Sequence, residues 1–293
     1  MGSVSSLANL SVTRQVLADH GLSAKYSLGQ NFLVNEAIVA KIVALAELEG
    51  ADNVLEIGPG IGTLTMALLQ NAKHVTSIER DTDLPAVLAE TLEPWRDSFT
   101  LIQKDALDLQ LSDFDGQDAP NKLVANLPYA VAATVVLDYF QRIESLESAT
   151  VMVQKEAAQR ICAEPGSRNV GAVSIAVRYY AQPEMLFQVS RGSFLPPPNV
   201  DSAVIRLKIR ETPAVSVEDE AFFFQTVKAA FAQRRKTLAN SLSAGLAVSK
   251  QQALETLAAC EIPPNARAEE LTMERFGRLS DALFRKVNCI ERG

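Results

Sequence analysis

Over the first 160 residues, short apolar or β-branched runs alternate with stretches in which apolar residues recur at helical spacing. Between residues 35 and 48, for example, Ile38, Ile42 and Leu45 share one side of a predicted helix. Strands alternating with helices are typical of βαβ units, so the pattern predicts an α/β fold with a parallel sheet covered on both faces. The predicted strands are 53–57, 74–79, 99–103, 122–126, 149–154 and 202–209, and the helices between them are near 63–70, 84–92, 132–142 and 156–163.

The pattern changes at residues 211–220, a polar, proline-containing stretch that indicates a linker. Beyond it only helical spacing remains, which predicts a small helical domain. One face of its first helix would carry Phe224, Val227, Phe231, Leu238 and Leu242. The predicted organisation is an N-terminal extension (1–24), an α/β domain (25–210) and a helical domain (211–293).

Composition and charge narrow the class of protein. With 47% apolar and 22% charged residues, no run of about 18–20 apolar residues and no secretory signal pattern, we expect a cytoplasmic globular protein. Three distant cysteines and two histidines predict neither a disulfide framework nor a metal site. The net charge of −7 argues against a nucleic-acid partner, but residues 1–150 carry −11 and residues 151–293 carry +4. Because phosphate attraction depends on local potential, the basic half keeps such a partner open.

The sharpest motif is VLEIGPGIGTLT at residues 54–65, where a strand leads through a glycine-rich turn into a helix. Gly58, Gly60 and Gly62 allow the backbone to approach a ligand where a Cβ would clash. The spacing is not the G-x-G-x-x-G dinucleotide fingerprint, and a tight loop preceded by the acidic Glu56 suits an adenosyl ligand without phosphates. The alternative is a plain strand-to-helix turn.

Two further carboxylates favour the ligand interpretation. Glu79 closes the second predicted strand and can accept both ribose hydroxyls, and Asp105 follows the third strand, where it can receive an adenine amino group. Ligands of open α/β sheets bind at the carboxyl ends of the strands, where these groups would meet. Together with the glycine turn they predict S-adenosylmethionine as cofactor.

The fourth strand ends in Asn126-Leu127-Pro128-Tyr129. Pro128 disfavours helical geometry at Leu127, which leaves the Leu127 carbonyl and the Asn126 amide oxygen to hold the two hydrogens of an exocyclic NH₂ group. Tyr129 offers a ring on which a base can stack. The alternative is an ordinary Asx-type turn with a core tyrosine.

Several motifs occur together in one order along residues 23–290. They are LGQNFL (28–33), EIGPGIG (56–62), Glu79, Asp105, NLPY (126–129), FLPPPNVDSAV (194–204) and FAQRRKTLANSL (231–242). In this combination the chain resembles the KsgA/RsmA rRNA adenine N6,N6-dimethyltransferase family. The resemblance implies a class I methyltransferase fold, with a mixed seven-stranded sheet and a small C-terminal helical domain that binds RNA.

The resemblance also implies a reaction and roles for residues. Two adjacent adenines in the 3′-terminal hairpin of 16S rRNA, within the small ribosomal subunit or its precursor, would each receive two methyl groups from S-adenosylmethionine. The cofactor contacts would come from Asn31, Leu33, Glu56, Gly58, Gly60, Glu79, Asp105 and Asn126. The target adenine would be held by Asn126, Leu127 and Pro128 and stacked between Tyr129 and Phe194.

Arg234, Arg235 and Lys236 are predicted to lie in the helix that opens the helical domain, where they either contact RNA phosphates or form a solvated face. We expect a monomer without a metal ion or a membrane partner. Two other functions stay open from the sequence: an Erm-type enzyme that methylates large-subunit rRNA, and a non-catalytic RNA-binding or ribosome-assembly factor that retains the fold.

Overall fold

The computed structural model describes residues 4–114, 118–127, 132–233 and 235–290. Its strands are β1 (Phe32–Leu33), β2 (Asn53–Ile57), β3 (His74–Glu79), β4 (Phe99–Gln103), β5 (Lys122–Asn126), β6 (Ser148–Gln154), β7 (Ala181–Val189), β8 (Phe194–Leu195) and β9 (Ser202–Ile209). Its helices are α1 (Leu10–Asp19), α2 (Glu36–Leu45), α3 (Thr63–Leu69), α4 (Leu84–Thr91), α5 (Ala132–Arg142), α6 (Lys155–Ile161), α7 (Ala172–Tyr180), α8 (Glu220–Phe231), α9 (Leu238–Gly245), α10 (Lys250–Ala259) and α11 (Met273–Ile290).

Within the described residues, seven strands form one sheet in the order β4-β3-β2-β5-β6-β9-β7. The strands from β4 to β6 are parallel, whereas β9 runs antiparallel to β6, with Val151 opposite Ile205. The central strands are nearly continuous apolar runs because both sheet faces are covered, as parallel sheets require. The predicted mixed seven-stranded α/β sheet is confirmed.

The edge strand β7 was not predicted from the sequence. Its sequence AQPEMLFQV contains Pro183 and mixes exposed with half-buried positions. Proline cannot donate to a strand ladder and is tolerated at a sheet edge, where β7 lies. Its weak pattern is therefore a consequence of its position in the sheet.

The described chain divides into two compact units, and the division differs from the predicted one. The first unit is Met1–Ala158 with Glu184–Ile209. Residues 4–24, set apart in the prediction, belong to this unit because Leu7, Ala8 and Leu17 are buried in its core. The amphipathic helix α1 is capped at its N-terminus by Asn9, whose side chain accepts the backbone N–H of Ser11.

The second unit is Gln159–Pro183 with Arg210–Gly293. The chain re-enters it at Arg210, beside the predicted boundary, but residues 159–183 were predicted to belong to the α/β domain. They join the helical core because Ile175 and Tyr179 of α7 are buried there, with the Tyr179 ring 5.0 Å from that of Phe223.

The predicted helix through the Arg-Arg-Lys run is wrong. The structure ends α8 at Phe231 and begins α9 at Leu238, so Arg235 and Lys236 lie in the connecting turn and are exposed. A continuous helix over residues 220–245 would be about 39 Å long and could not fold back on itself. The turn instead lets α9 pack on α8, so closely that a Cβ on Gly245 would lie 2.7 Å from the Cβ of Ala229.

Among the described helices, none has both the length and the apolar character needed to cross a membrane.

Candidate functional site

The glycine turn between β2 and α3 has the backbone geometry that its sequence predicts. Gly58, Gly60 and Gly62 have φ values of +69°, +60° and +91°, a region that side chains with a Cβ rarely adopt. The Gly58 N–H donates to the Ile78 carbonyl at 2.9 Å, which fixes the turn against the end of β3. A Cβ at Gly58 would meet no atom within 4 Å, whereas one at Gly60 would lie 3.2 Å from the Phe32 ring. The turn is thus packed at Gly60 and open at Gly58.

Glu56 supports this turn from inside the protein. Its side chain is 1% exposed, and one carboxylate oxygen accepts hydrogen bonds from the hydroxyls of Thr65 (2.7 Å) and Ser77 (2.8 Å). Burial raises the pKa of Glu56 to about 7, although both hydroxyls oppose the shift. The structure therefore gives Glu56 protein partners on α3 and β3, and its predicted cofactor contact stays a prediction.

Glu79 ends β3 beside the glycine turn. Burial raises the pKa of Glu79, and backbone N–H groups of Asp81, Arg80 and Gly60 donate to its carboxylate and offset part of the shift. A carboxylate has about four acceptor positions, so three N–H donors leave it capacity for a ligand hydroxyl. This arrangement fits the predicted ribose contact.

Asp105 follows β4 at the same edge of the sheet. One of its oxygens accepts the Leu107 N–H and the other lies 2.9 Å from the guanidinium of Arg80. The loop after Asp105 is held from α5, where the buried Tyr139 hydroxyl donates to the Ala106 carbonyl at 2.8 Å. Burial raises the pKa of Tyr139 far above its usual value, so this hydroxyl stays a donor.

Asn126 ends β5 and is oriented by a second motif. Its Nδ2 donates to the Asn31 carbonyl at 3.4 Å. Because a carbonyl can only accept, this contact assigns the nitrogen end of the amide and leaves Oδ1 as its acceptor end. The next residue, Leu127, is buried, and its N–H donates to the Met152 carbonyl of β6 at 3.1 Å. Pro128 and Tyr129 lie outside the described residues.

The LGQNFL and FLPPPNVD motifs meet although 160 residues separate them. Strands β1 and β8 pair antiparallel, with Leu33 opposite Phe194, and the Val34 N–H donates to the Ser193 carbonyl at 2.8 Å. Leu33 and Phe194 are both buried in the core of the first unit, Phe194 to 2% exposure. A stacking role for Phe194 requires its ring to become accessible, and that role stays a prediction.

Sequence reasoning missed a polar clamp that holds the segment before β1. Asp81 is buried and accepts hydrogen bonds from Lys25 (2.5 Å) and Gln30 (2.6 Å), and the Lys25 N–H donates to Gln30. Burial raises the pKa of Asp81, but the bonds from Lys25, Asp83 and Gln30 outweigh it and the net pKa lies below its usual value. The signal available in the sequence was Gln30 itself, a polar residue inside the LGQNFL motif.

Some basic side chains of the second unit are exposed, and others are held by hydrogen bonds to its own backbone. Arg235 and Lys236 are exposed, and Lys236 lines a cavity of the second unit together with Arg168, Gln233 and Glu269. Arg178 instead donates to the carbonyls of Cys162 and Ala163 within the same unit. Arg234 lies outside the described residues. Nowhere in the described part of the chain do three His, Cys, Asp or Glu side chains gather as metal ligands would.

The fold and the site together define a class I methyltransferase: a glycine turn after β2, followed by acidic groups at the ends of β3 and β4. Among solved structures, a dimethyladenosine transferase from Plasmodium falciparum is similar to this chain with a TM-score of 0.72. It is 24% identical, and the match covers 85% of this chain and 95% of that one. The 23S rRNA methyltransferase ErmE is 26% identical with a TM-score of 0.65, over 87% of this chain and 100% of that one.

Sequence relatives define the family. The family model for ribosomal RNA adenine dimethylase matches residues 21–284, so the chain belongs to that family. The ribosomal RNA small subunit methyltransferase A of Streptococcus gordonii is 43% identical over 94% of this chain and 98% of its own length. The protein of the same name from Geobacillus sp. is 44% identical over 92% and 95%. The predicted family is confirmed, and the predicted cofactor, S-adenosylmethionine, is the methyl donor of this class.

Proposed function

We propose that this chain transfers methyl groups from S-adenosylmethionine to the N6 amines of two adjacent adenines in the 3′-terminal hairpin of 16S rRNA, two methyl groups to each adenine. The names of the 43–44% identical relatives support the small subunit as the source of the substrate. A further role in small-subunit biogenesis belongs to the same proposal.

The carboxyl edge of the sheet supports a site for the cofactor. The open backbone at Gly58 would lie against the cofactor, Glu79 would accept from a hydroxyl of its ribose, and Asp105 would receive the adenine amino group. When bound, S-adenosylmethionine supplies a methyl group already activated by a positive sulfonium. The chain therefore needs to orient the acceptor amine rather than to activate the donor.

The orientation of Asn126 supports the proposal most directly. The N6 lone pair of adenine is delocalised into the ring, so the amine is a poor nucleophile until its hydrogens are held. With Nδ2 bound to the Asn31 carbonyl, Oδ1 of Asn126 is the acceptor for one of those hydrogens. The Leu127 carbonyl would accept the other. Such an arrangement orients the lone pair and stabilises the charge that grows on nitrogen.

Asn126→Ala tests the proposal. Removing one contact of this kind raises the barrier by about 3–4 kcal/mol, so we expect kcat to fall by about 10²–10³-fold while cofactor affinity changes little. The assay is transfer of labelled methyl groups to unmethylated small subunits, with cofactor binding measured by calorimetry. Asn71→Ala is the matched control, because the Asn71 amide also donates to a backbone carbonyl, that of Ala67, away from the site.

The wild-type assay separates the competing functions. Transfer to small subunits and not to large subunits supports the proposal, and transfer to large subunits would assign the chain to the Erm-type activity. Cofactor binding without transfer to either subunit would indicate a non-catalytic RNA-binding factor. Near-wild-type kcat in Asn126→Ala would refute the orientation mechanism.

A further inference from the structure

Tyr26 is the most exposed large hydrophobic side chain in the described part of the chain, at 85% exposure. It opens a short 3₁₀ turn, Tyr26–Leu28, that is closed by the Gly29 N–H donating to the Tyr26 carbonyl at 3.0 Å. The preceding Lys25 is tied to Asp81, so the turn is anchored to the sheet. A large ring on an anchored turn cannot reduce its exposure by collapsing onto the protein, so it stays available to a partner.

A second loop completes the surface. The Asn199 amide donates to the Tyr26 hydroxyl at 3.3 Å, and the adjacent Val200 is 45% exposed. We refer to Tyr26, Asn199 and Val200 as the aromatic rim. It combines a flat ring, an apolar neighbour and a polar edge, as base-stacking sites in RNA-binding proteins do.

Two cationic residues lie beside the second loop. The backbone N–H of Arg191 donates to the Asp201 carboxylate, and the backbone N–H of Lys155 donates to the Asp201 carbonyl, each at 3.0 Å. Arg191 is exposed and Lys155 half-buried. Their backbones are thus joined to Asp201, the residue after Val200, so two cationic side chains extend from segments that contact this loop and are available to the phosphates of a bound nucleotide, alongside the Asp201 carboxylate.

The rim is also connected to the site of chemistry. Tyr26 is five residues before Asn31, whose carbonyl holds the Asn126 amide, and Asn199 is five residues after Phe194, which pairs with Leu33. Both loops of the rim are therefore held by the β1–β8 ribbon that borders the Asn126 turn.

We propose that Tyr26 stacks against an unpaired nucleobase next to the target adenine and so positions the RNA for methyl transfer. The inference rests on the proposed function. An enzyme that extrudes one base from a helix leaves the neighbouring bases partly unstacked. An exposed ring beside the cleft replaces the stacking contact that such a base has lost. Asn199 sets the ring orientation, and Lys155 and Arg191 attract the flanking phosphates.

Steady-state kinetics on unmethylated small subunits tests the proposal. Loss of one stacking contact predicts that Tyr26→Ala raises KM for the subunits on the order of 10-fold, with kcat and cofactor affinity near wild type. Tyr26→Phe keeps the ring and should stay within about twofold of wild type for the same reason. The matched control is Leu10→Ala, which removes another exposed apolar side chain of the same unit, on α1, and should change none of these values.

Base-specific chemical probing of the rRNA in the complex identifies the nucleobase that stacks on Tyr26. Wild type and Tyr26→Phe should protect a nucleotide beside the adenine pair that Tyr26→Ala leaves reactive. Three results would overturn the proposal: an unchanged KM in Tyr26→Ala, a Phe variant as impaired as the Ala variant, or identical protection by all three proteins. A loss of cofactor affinity in Tyr26→Ala would also overturn it, by assigning Tyr26 to loop structure. If wild type methylates neither subunit, the proposed function fails instead, before any variant is compared.

Discussion

The buried carboxylate of Glu56 makes the stability of the protein depend on pH in a calculable way. Burial raises the pKa of Glu56 from 4.5 to about 7 in the folded protein. Between these values the folded protein keeps a proton that the unfolded chain has released, so stability falls as pH rises through this window. At about 1.4 kcal/mol per pKa unit, the full loss above pH 7 is about 3 kcal/mol.

The substitution Glu56→Gln isolates this effect. Glutamine has nearly the same shape and its amide oxygen can still accept from Thr65 and Ser77, but it carries no charge at any pH. In wild type, about 1.4 kcal/mol of the loss in free energy of unfolding has already occurred at pH 5.5. Between pH 5.5 and pH 8 the wild type should therefore lose about 2 kcal/mol more than the variant.

Urea denaturation of both proteins at several pH values measures the difference. The comparison requires equal slopes with denaturant, which show that both proteins expose similar surface on unfolding. Glu144→Gln, which removes an exposed carboxylate of the same unit, is the control and should leave the pH profile unchanged. A difference between Glu56→Gln and wild type that stays constant with pH would show that Glu56 is ionised in the folded protein, contrary to this reasoning.

Two further predictions concern packing. Tyr139→Phe removes the donor to the Ala106 carbonyl and should cost about 1–3 kcal/mol in urea denaturation, with weaker cofactor binding because the loop after Asp105 loses its anchor. Gly245→Ala places a methyl group 2.7 Å from the Cβ of Ala229 and should destabilise the protein by about 1–3 kcal/mol. The control is Gly50→Ala, which should change stability little because no atom lies within 4 Å of the new methyl group. Equal effects of the two substitutions would contradict the packing argument.

The elements that could be predicted are those whose pattern is set by burial. The bounds of β2, β3, β5 and β9 coincide with the prediction, because inner strands are covered on both faces and read as apolar runs. Those of the edge strand β4 coincide as well, since its sequence FTLIQ still reads as a short, largely apolar run. β7 could not be found because an edge strand tolerates polar residues and Pro183. Strands β1 and β8, of two residues each, exist through pairing with each other and carry no periodicity of their own.

The site residues also fall into a group that the sequence predicts and a group that it does not. Glu79 and Asn126 end strands and Asp105 follows one, so the topology alone brings them to one edge of the sheet. The Lys25–Gln30–Asp81 clamp joins residues 51–56 positions apart, and no local pattern contains it. The single helix predicted across the Arg-Arg-Lys run was wrong because apolar spacing continues in phase across a turn, and only the packing of α9 on α8 shows the break.

Part of the acidity of residues 1–150 lies at the site, and it does not by itself oppose an RNA substrate. Glu56, Glu79, Asp81 and Asp105 all lie around the carboxyl ends of β2 to β4, in or next to the place proposed for the cofactor. A positively charged sulfonium is favoured there by those of these carboxylates that are ionised, which exclude Glu56 below about pH 7 and which would repel phosphates. RNA therefore has to approach along other surfaces. Exposed cations outside that region suit this need, since Arg191 lies in the connection between β7 and β8, and Arg235 and Lys236 lie in the turn between α8 and α9. The low overall pI is thus compatible with an enzyme that binds a cationic cofactor in one region and a polyanion in others.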